Sequence, residues 1–269
     1  ERCIEIALGN NPQINAAFQD ILASDARIKQ VWSNYFPQIS WQTGYTKIRQ
    51  LQLSDALGQN LTFNYFILGQ VTLQQMLYDF GVTQNQATIK RLDYEGYKTT
   101  LTGTINNVIY QTKDAYYNLL YSYENKRVAE DTVNKFAMFY DQAKAFYEIG
   151  LNPKVDVTIA EANLSNAKLQ LIQADNAVNL AVARLNNIMG VPFIDAYNVQ
   201  ERLRYDPVDI TLEGAVEVAK EARPELKLAE IKVESAKQTV KLVKKSYFPT
   251  LSVEGQFQVG GKSWTSNHG

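Results

Sequence analysis

From Gly81 to Ile149 the chain runs 69 residues without a proline, and small or apolar residues recur along it at alternating steps of four and three. The seam reads Leu101, Ile105, Val108, Thr112, Ala115, Leu119, Ser122, Lys126, Ala129, Val133, Phe136, Tyr140, Ala143 and Tyr147. A 4-3 repeat sustained over this many turns specifies a coiled-coil helix. At about 1.5 Å per residue such a helix reaches roughly 100 Å, too long for an ordinary globular core. A second, partial stripe (Ile109, Tyr116, Leu120, Tyr123) lies beside the first, so contacts on two sides are expected. The pattern stops at Ile149-Gly150-Leu151-Asn152-Pro153, where Gly150 suits a left-handed cap and Pro153 the first turn of another helix. A second seam then follows: Ala160, Leu164, Ala167, Leu171, Ala174, Val178, Ala181, Leu185 and Ile188, ending at Met189-Gly190. Small residues alternating with larger ones there permit close helix approach.

Composition agrees with long uninterrupted elements, since there are only 14 glycines and 7 prolines in 269 residues. A formal charge of −1 argues against nucleic acid as a partner. One cysteine, Cys3, excludes an internal disulfide framework, and one histidine, His268, leaves no Cys/His zinc cluster to assemble. No catalytic pair stands above background and no residue-level case exists for a cofactor, a metal or a small-molecule pocket. The expectation is therefore a protein that is not an enzyme. Gly260-Gly261-Lys262-Ser263 ends like a phosphate loop but lacks the first glycine at the required spacing, and is read as a turn. Cys3 sits in an amphipathic helical run and is expected to be a small core residue. Tyr110, Tyr116, Tyr117, Tyr121, Tyr123, Tyr140 and Tyr147 are expected to pack between helices. The chain begins at Glu1 with no basic n-region or apolar signal core, and no run of 18 apolar residues occurs. A β-barrel strand needs only about 9–11 alternating residues, so this does not exclude a membrane.

An internal repeat organises the rest. Pro12–Trp41 aligns without gaps onto Pro224–Val253 at an offset of 212, pairing Ala17 with Ala229, Lys29 with Lys241, Val31 with Val243 and Tyr35-Phe36-Pro37 with Tyr247-Phe248-Pro249. Each copy reads as a proline-initiated helix, an aromatic-aromatic-proline stop and an alternating segment. Ile39, Trp41, Thr43 and Tyr45 share one face, with Gln38, Ser40 and Gln42 opposite. After a polar interruption at Ser54–Asn60, Phe63, Tyr65, Ile67, Gly69, Val71 and Leu73 alternate with Thr62, Asn64, Gln70, Thr72 and Gln74, although Phe66 and Leu68 spoil the pattern. In the second copy Leu251, Val253, Gly255, Phe257 and Val259 oppose Thr250, Ser252, Glu254, Gln256 and Gln258. A polar face rich in Gln, Ser and Thr and poor in Lys and Glu suits a barrel lumen, with Ile39, Trp41, Tyr45, Phe63, Tyr65, Ile67, Val71, Leu251, Val253 and Phe257 as the lipid-facing candidates. The segments expected are an ascending helix over 1–36, two strands with an external loop over 37–78, and a helical hairpin over 79–190 with its tip near 149–157. A linker with a short helix starting at Thr211 fills 191–222. The second ascending helix takes 223–248, and a first strand of the second copy takes 249–269.

In this order and spacing, Asn11-Pro12, Tyr35-Phe36-Pro37-Gln38-Ile39-Ser40, Tyr78-Asp79-Phe80-Gly81, Ile149-Gly150-Leu151, Asp156-Val157, Ala160-Glu161-Ala162 and Arg223-Pro224-Glu225-Leu226 resemble the TolC family of outer-membrane efflux and secretion channels. The resemblance covers nearly the entire chain. It implies a mainly α fold with membrane β structure, in which long antiparallel coiled-coil helices form an α-barrel tunnel and three subunits close a 12-stranded β-barrel. It implies a passive conduit for efflux or type I secretion, a homotrimer in outer-membrane lipid of a Gram-negative-type bacterium with its helical part in the periplasm. Its implied partners are a periplasmic adaptor (membrane fusion) protein and an inner-membrane transporter of the RND, MFS or ABC class. The residues matching the adaptor-docking tip are Ile149, Gly150, Leu151 and Asp156. Against a whole family member the second copy ends after its first strand, so the chain is expected to be somewhat more than half of a subunit, without the entrance-gating second tip. The competing reading is a soluble periplasmic coiled-coil scaffold in which the alternating segments form a small sheet.

Overall fold

The computed structural model describes residues 1–47, 62–192, 197, 207 and 210–265, with residues 45–47, 62–68 and 262–265 described by their backbone alone. The expected polar loop at Ser54–Asn60 and most of the expected linker ahead of its short helix lie outside the described residues. The chain divides into two units, residues 1–20 with 98–227 and residues 21–97 with 228–269. The long helix α3 (Val82–Glu148) contributes to both.

In the first unit, α1 (Arg2–Asn10) lies against α3 and α4 (Lys154–Met189). Both heptad seams are where burial concentrates. Val108, Ala115 and Leu119 of α3 meet Val178, Val182, Leu185 and Met189 of α4 and Ala7 of α1 in one core, with Cys3 at its margin. The second stripe is also used, since Leu120 is buried at 3% exposure. Lys126, the one charged seam position, is tolerated because its ammonium reaches Asp175 of α4 at 2.6 Å. Four of the seven helix tyrosines depart from expectation: Tyr110, Tyr117, Tyr121 and Tyr147 are exposed, because a single chain supplies neighbours on only part of α3.

The ascending helix expected over 1–36 is instead two helices, α1 and α2 (Pro12–Trp32). Pro12 has no N–H to continue the ladder, and Asn11 before it is extended. Its side chain mends the break, accepting from the Gln13 amide at 2.8 Å and donating to the Ile188 carbonyl at 2.8 Å. Gly190 ends α4 at φ 66°, and a Cβ there would stand 2.6 Å from the Asn10 carbonyl oxygen, so the position needs glycine twice over. A short helix α5 (Leu212–Ala222) follows, with the Thr211 hydroxyl accepting from the Gly214 amide at 3.2 Å as its N-cap.

In the second unit, the remainder of α2, the start of α3 and most of α6 (Pro224–Lys245) accompany an antiparallel sheet in the order β1 (Gln38–Lys47), β2 (Thr62–Tyr78), β3 (Leu251–Thr265). The Gly260–Ser263 run, expected as a turn, continues β3 instead, because Gly260 and Gly261 pair with Ile67 and Phe66 of β2. The alternation expected along β2 also fails at one point. Leu68 is an extra residue relative to both neighbours, so Gln70 pairs with Gln42 while Ile67 pairs with Gly44. A one-residue bulge exchanges the two faces. Beyond it, Tyr45 pairs with Phe66 and Thr46 with Tyr65. Leu77 makes a second irregularity, after which Tyr78 pairs with Leu251.

Candidate functional sites at the sheet and the hairpin tip

The sheet separates two chemistries. Residues directly opposite in an antiparallel pair share a face, so Trp41, Val71 and Phe257 form one row, and Ile39, Leu73 and Gly255 the next. On the other face lie Ser40, Thr72 and Gln256, then Gln42, Gln70 and Gln258, then Gln38, Gln74 and Glu254. The apolar rows are open: Ile39 is 73% exposed, Trp41 69% and Phe257 70%. Val71, Leu251 and Val253 are exposed as well. Of the lipid-facing candidates, Tyr45, Phe63, Tyr65 and Ile67 have side chains outside the described residues.

Below the sheet, the turn into α3 is held by one carboxylate. Asp79 is 2% exposed and accepts from the Tyr35 hydroxyl at 2.8 Å, the Gly81 amide at 3.0 Å and the Thr83 amide at 2.6 Å. Burial pushes its pKa up, but the Thr83, Tyr35 and Gly81 hydrogen bonds outweigh that and leave it below the usual aspartate value. Burial, then the same Asp79 contact, raises the Tyr35 phenol. Held this way, Phe80 adopts φ 53°, a conformation costly for a residue with a Cβ. Its ring lies 5.4 Å from that of Phe248 and 4.8 Å from that of Tyr78. The sequence shows the Tyr78–Gly81 motif; Asp79's partnership with a tyrosine 44 positions earlier needs the fold.

At the tip of the α3–α4 hairpin, the Gly150 amide donates to the Tyr147 carbonyl and the Leu151 amide to the Phe146 carbonyl, both at 2.9 Å. With Gly150 at φ 79°, this is a Schellman cap. Pro153 falls one residue earlier than the first helical turn, as the N-cap of α4. Ile149 and Leu151 are 69% and 70% exposed, and a Cβ on Gly150 would meet no heavy atom within 4 Å. Asp156 is set apart from these three. It lines a shallow groove of about 170 Å³ between the helices with Phe136, Phe139, Ile159, Ala160 and Asn163. Phe139, Ile159 and Asn163 lie off both heptad seams, which is the sequence signal for this groove that seam analysis passes over. Among the described residues no His/Cys/Asp/Glu group could hold a metal ion, and no helix is long and apolar enough to cross a membrane.

Paired coiled-coil helices joined to a sheet with one apolar and one Gln/Thr face define the channel-type fold of outer-membrane efflux proteins, an α-barrel combined with a β-barrel. The chain belongs to the outer membrane efflux protein family, whose model matches residues 3–191. It is 22% identical over 265 residues to outer membrane protein TolC of Vibrio cholerae, covering 94% of this chain and 56% of that one. It is 26% identical over 189 residues to outer membrane efflux protein BepC of Brucella suis, covering 68% and 39%. The Campylobacter jejuni CmeC outer membrane channel superposes with a TM-score of 0.73 at 17% identity, over 99% of this chain and 61% of that one. The chain thus spans about half the length of the curated relatives it matches. Family membership places it in the outer membrane of a Gram-negative bacterium, with the helical part in the periplasm.

Proposed function

We propose that the chain is part of a channel subunit that serves as a passive conduit for efflux or type I secretion. It would act as a homotrimer with a periplasmic adaptor and an inner-membrane transporter of the RND, MFS or ABC class. The observation that carries this reading is the sheet, whose exposed rows of Ile39, Trp41, Val71 and Phe257 back onto rows of Gln, Ser and Thr. A contiguous apolar surface of that kind requires lipid or another protein, and a Gln/Thr face suits a water-filled lumen in which no bond is made or broken. Among the described residues the three strands leave β1 and β3 as edges, and open edges do not persist in hydrocarbon, so closure must come from further strands. Twelve strands from three subunits supply that closure. The soluble scaffold is not favoured, because family membership covers most of the chain.

At the tip, Ile149 and Leu151 offer apolar contact and Gly150 lets an adaptor hairpin approach the backbone, while Asp156 presents a carboxylate in the groove behind them. Gly150→Trp in the full-length protein is the test. Trimers should form normally and export of a transporter's substrate should cease; normal export by this variant sinks the docking role. Conductance of the purified full-length protein in planar bilayers tests the conduit itself, and an absence of discrete channels refutes it.

A further inference from the structure

The sheet carries a single charge among its described side chains, those of residues 38–44, 69–78 and 251–261. Glu254 is the one Asp, Glu, Lys or Arg there. It stands on the polar face, in the row Gln38, Gln74 and Glu254, next to the row Ser40, Thr72 and Gln256. Glu254 is exposed, forms no ion pair among the described residues, and has only neutral amides beside it in its row. Lys47 and Lys262, the lysines of β1 and β3, pair with Asn64 and Tyr65 near the other end of the sheet. The eight residues from Glu254 to Lys262 span about 26 Å of strand, or about three screening lengths at physiological salt. The carboxylate is therefore uncompensated.

The repeat shows that the strand does not need this charge. One position past the aligned segment, at the same offset of 212, the first copy has Gln42. Gln42 also lies on the polar face, paired with Gln70. A strand of the same design thus accepts an amide where the second copy has an acid.

We propose that Glu254 sets the charge preference of the conduit: one copy from each of three subunits forms a carboxylate ring in the lumen that favours cationic solutes and holds back anionic ones. This rests on the trimeric channel reading. A 12-stranded barrel with strands about 4.8 Å apart and tilted about 40° has a radius of about 12 Å. A Glu side chain reaches about 5 Å inward, which leaves three carboxylates about 7 Å from the axis and about 12 Å from one another. Oxygens that share one cation lie about 2.3–2.6 Å from it, so the ring acts through its field and not by coordination. In water, three unit charges at that distance concentrate a monovalent cation on the axis about tenfold in 10 mM salt, where the screening length is about 30 Å. In 1 M salt the screening length is about 3 Å and the enrichment falls to about 1.3-fold. Rings of charged side chains are a general means of selecting ions by sign.

Single-channel recording of the full-length protein in planar bilayers tests this, with Glu254→Gln and Glu254→Lys beside the unchanged protein. Because Gln42 already holds the equivalent position of the first copy, Glu254→Gln should fold and form channels. Between 10 and 30 mM KCl, Glu254→Gln should lower the potassium-to-chloride permeability ratio about tenfold, and Glu254→Lys should lower it further. Between 1 and 3 M KCl the effect of Glu254→Gln should shrink below about twofold. A local readout needs no reconstitution. In outer-membrane vesicles at low salt and a Cys3→Ser background, Gln256→Cys should react faster with a cationic than with an anionic methanethiosulfonate. Adding Glu254→Gln should cut that preference about threefold or more. Discrete channels with an unchanged permeability ratio overturn the inference and leave the channel reading standing, as does a reagent preference at Gln256→Cys that is the same with and without Glu254. Absence of channels from the unchanged protein overturns both.

Discussion

Replacing Asp79 by alanine should open the turn between β2 and α3 without touching either coiled-coil seam. The carboxylate accepts three hydrogen bonds at 2% exposure, from Tyr35, Gly81 and Thr83. Hydrogen bonds to a charged group contribute about 1.5–3 kcal/mol each, but three on one group are not additive. Relaxation of Phe80 from its positive φ returns about 1–2 kcal/mol. A net local loss of about 3 kcal/mol is the result, or roughly a hundredfold in the opening equilibrium. Amide hydrogen exchange of the full-length protein reads this directly. The Gly81 and Thr83 amides should exchange roughly a hundredfold faster, while Leu119 in the first unit stays protected. Asp79→Asn should lie between, because only one of its two terminal atoms accepts. The pH dependence has a definite sign. Because the folded pKa lies below the ordinary aspartate value, the contribution is complete above that value and fades as pH falls through the folded pKa. Less than about a threefold change at Thr83 would show that the carboxylate does not hold the turn, since one such bond alone is worth more.

Other sites give sharper thermodynamic signs. Gly190→Ala places a Cβ 2.6 Å from the Asn10 carbonyl oxygen at φ 66°. It should lower stability by about 2 kcal/mol or more in a thermal melt, whereas Gly255→Ala, with nothing within 4 Å, should be close to neutral. Leu119→Ala, at 0% exposure in the α1–α3–α4 core, should cost about 2–5 kcal/mol in denaturant unfolding, and under about 1 kcal/mol would contradict the core assignment. A double-mutant cycle on Lys126 and Asp175, whose side chains are 33% and 50% exposed, should give a coupling of only about 0.2–1 kcal/mol. The hydrogen bond to Asp175 raises the Lys126 pKa, so the coupling should persist at neutral pH and be lost only as pH rises through the folded pKa, above the ordinary lysine value.

The heptad seams were legible because a coiled-coil helix writes its neighbours into one strand of sequence: Val108, Leu119, Val178 and Leu185 are buried where the 4-3 spacing puts them. What the sequence hid was relational. Leu68 is one more apolar residue in an apolar run, and only the pairing of Gln42 with Gln70 and Gly44 with Ile67 reveals it as a bulge. Gly260-Gly261 suggests a turn until the partner strand is seen to continue past it. Val31 and Val243 are aligned, identical residues, yet one is half-buried and the other 54% exposed, because burial belongs to the neighbour and not to the residue. At the tip, the glycine cap was visible in Ile149-Gly150-Leu151, but the groove behind it joins Phe136 and Phe139 to Ile159, residues from helices that run in opposite directions.

The account turns on the two faces of the sheet meeting different solvents. Nitroxide labels on single cysteines at Trp41, Val71 and Phe257, and at Gln42, Gln70 and Gln256, in the full-length protein in outer-membrane vesicles, test this most directly. The first set should relax with oxygen, which concentrates in lipid, and resist a water-soluble nickel chelate; the second set should do the reverse. Equal access of the nickel chelate to both sets would mean that the apolar rows face water or another soluble surface, and the membrane channel reading would be wrong.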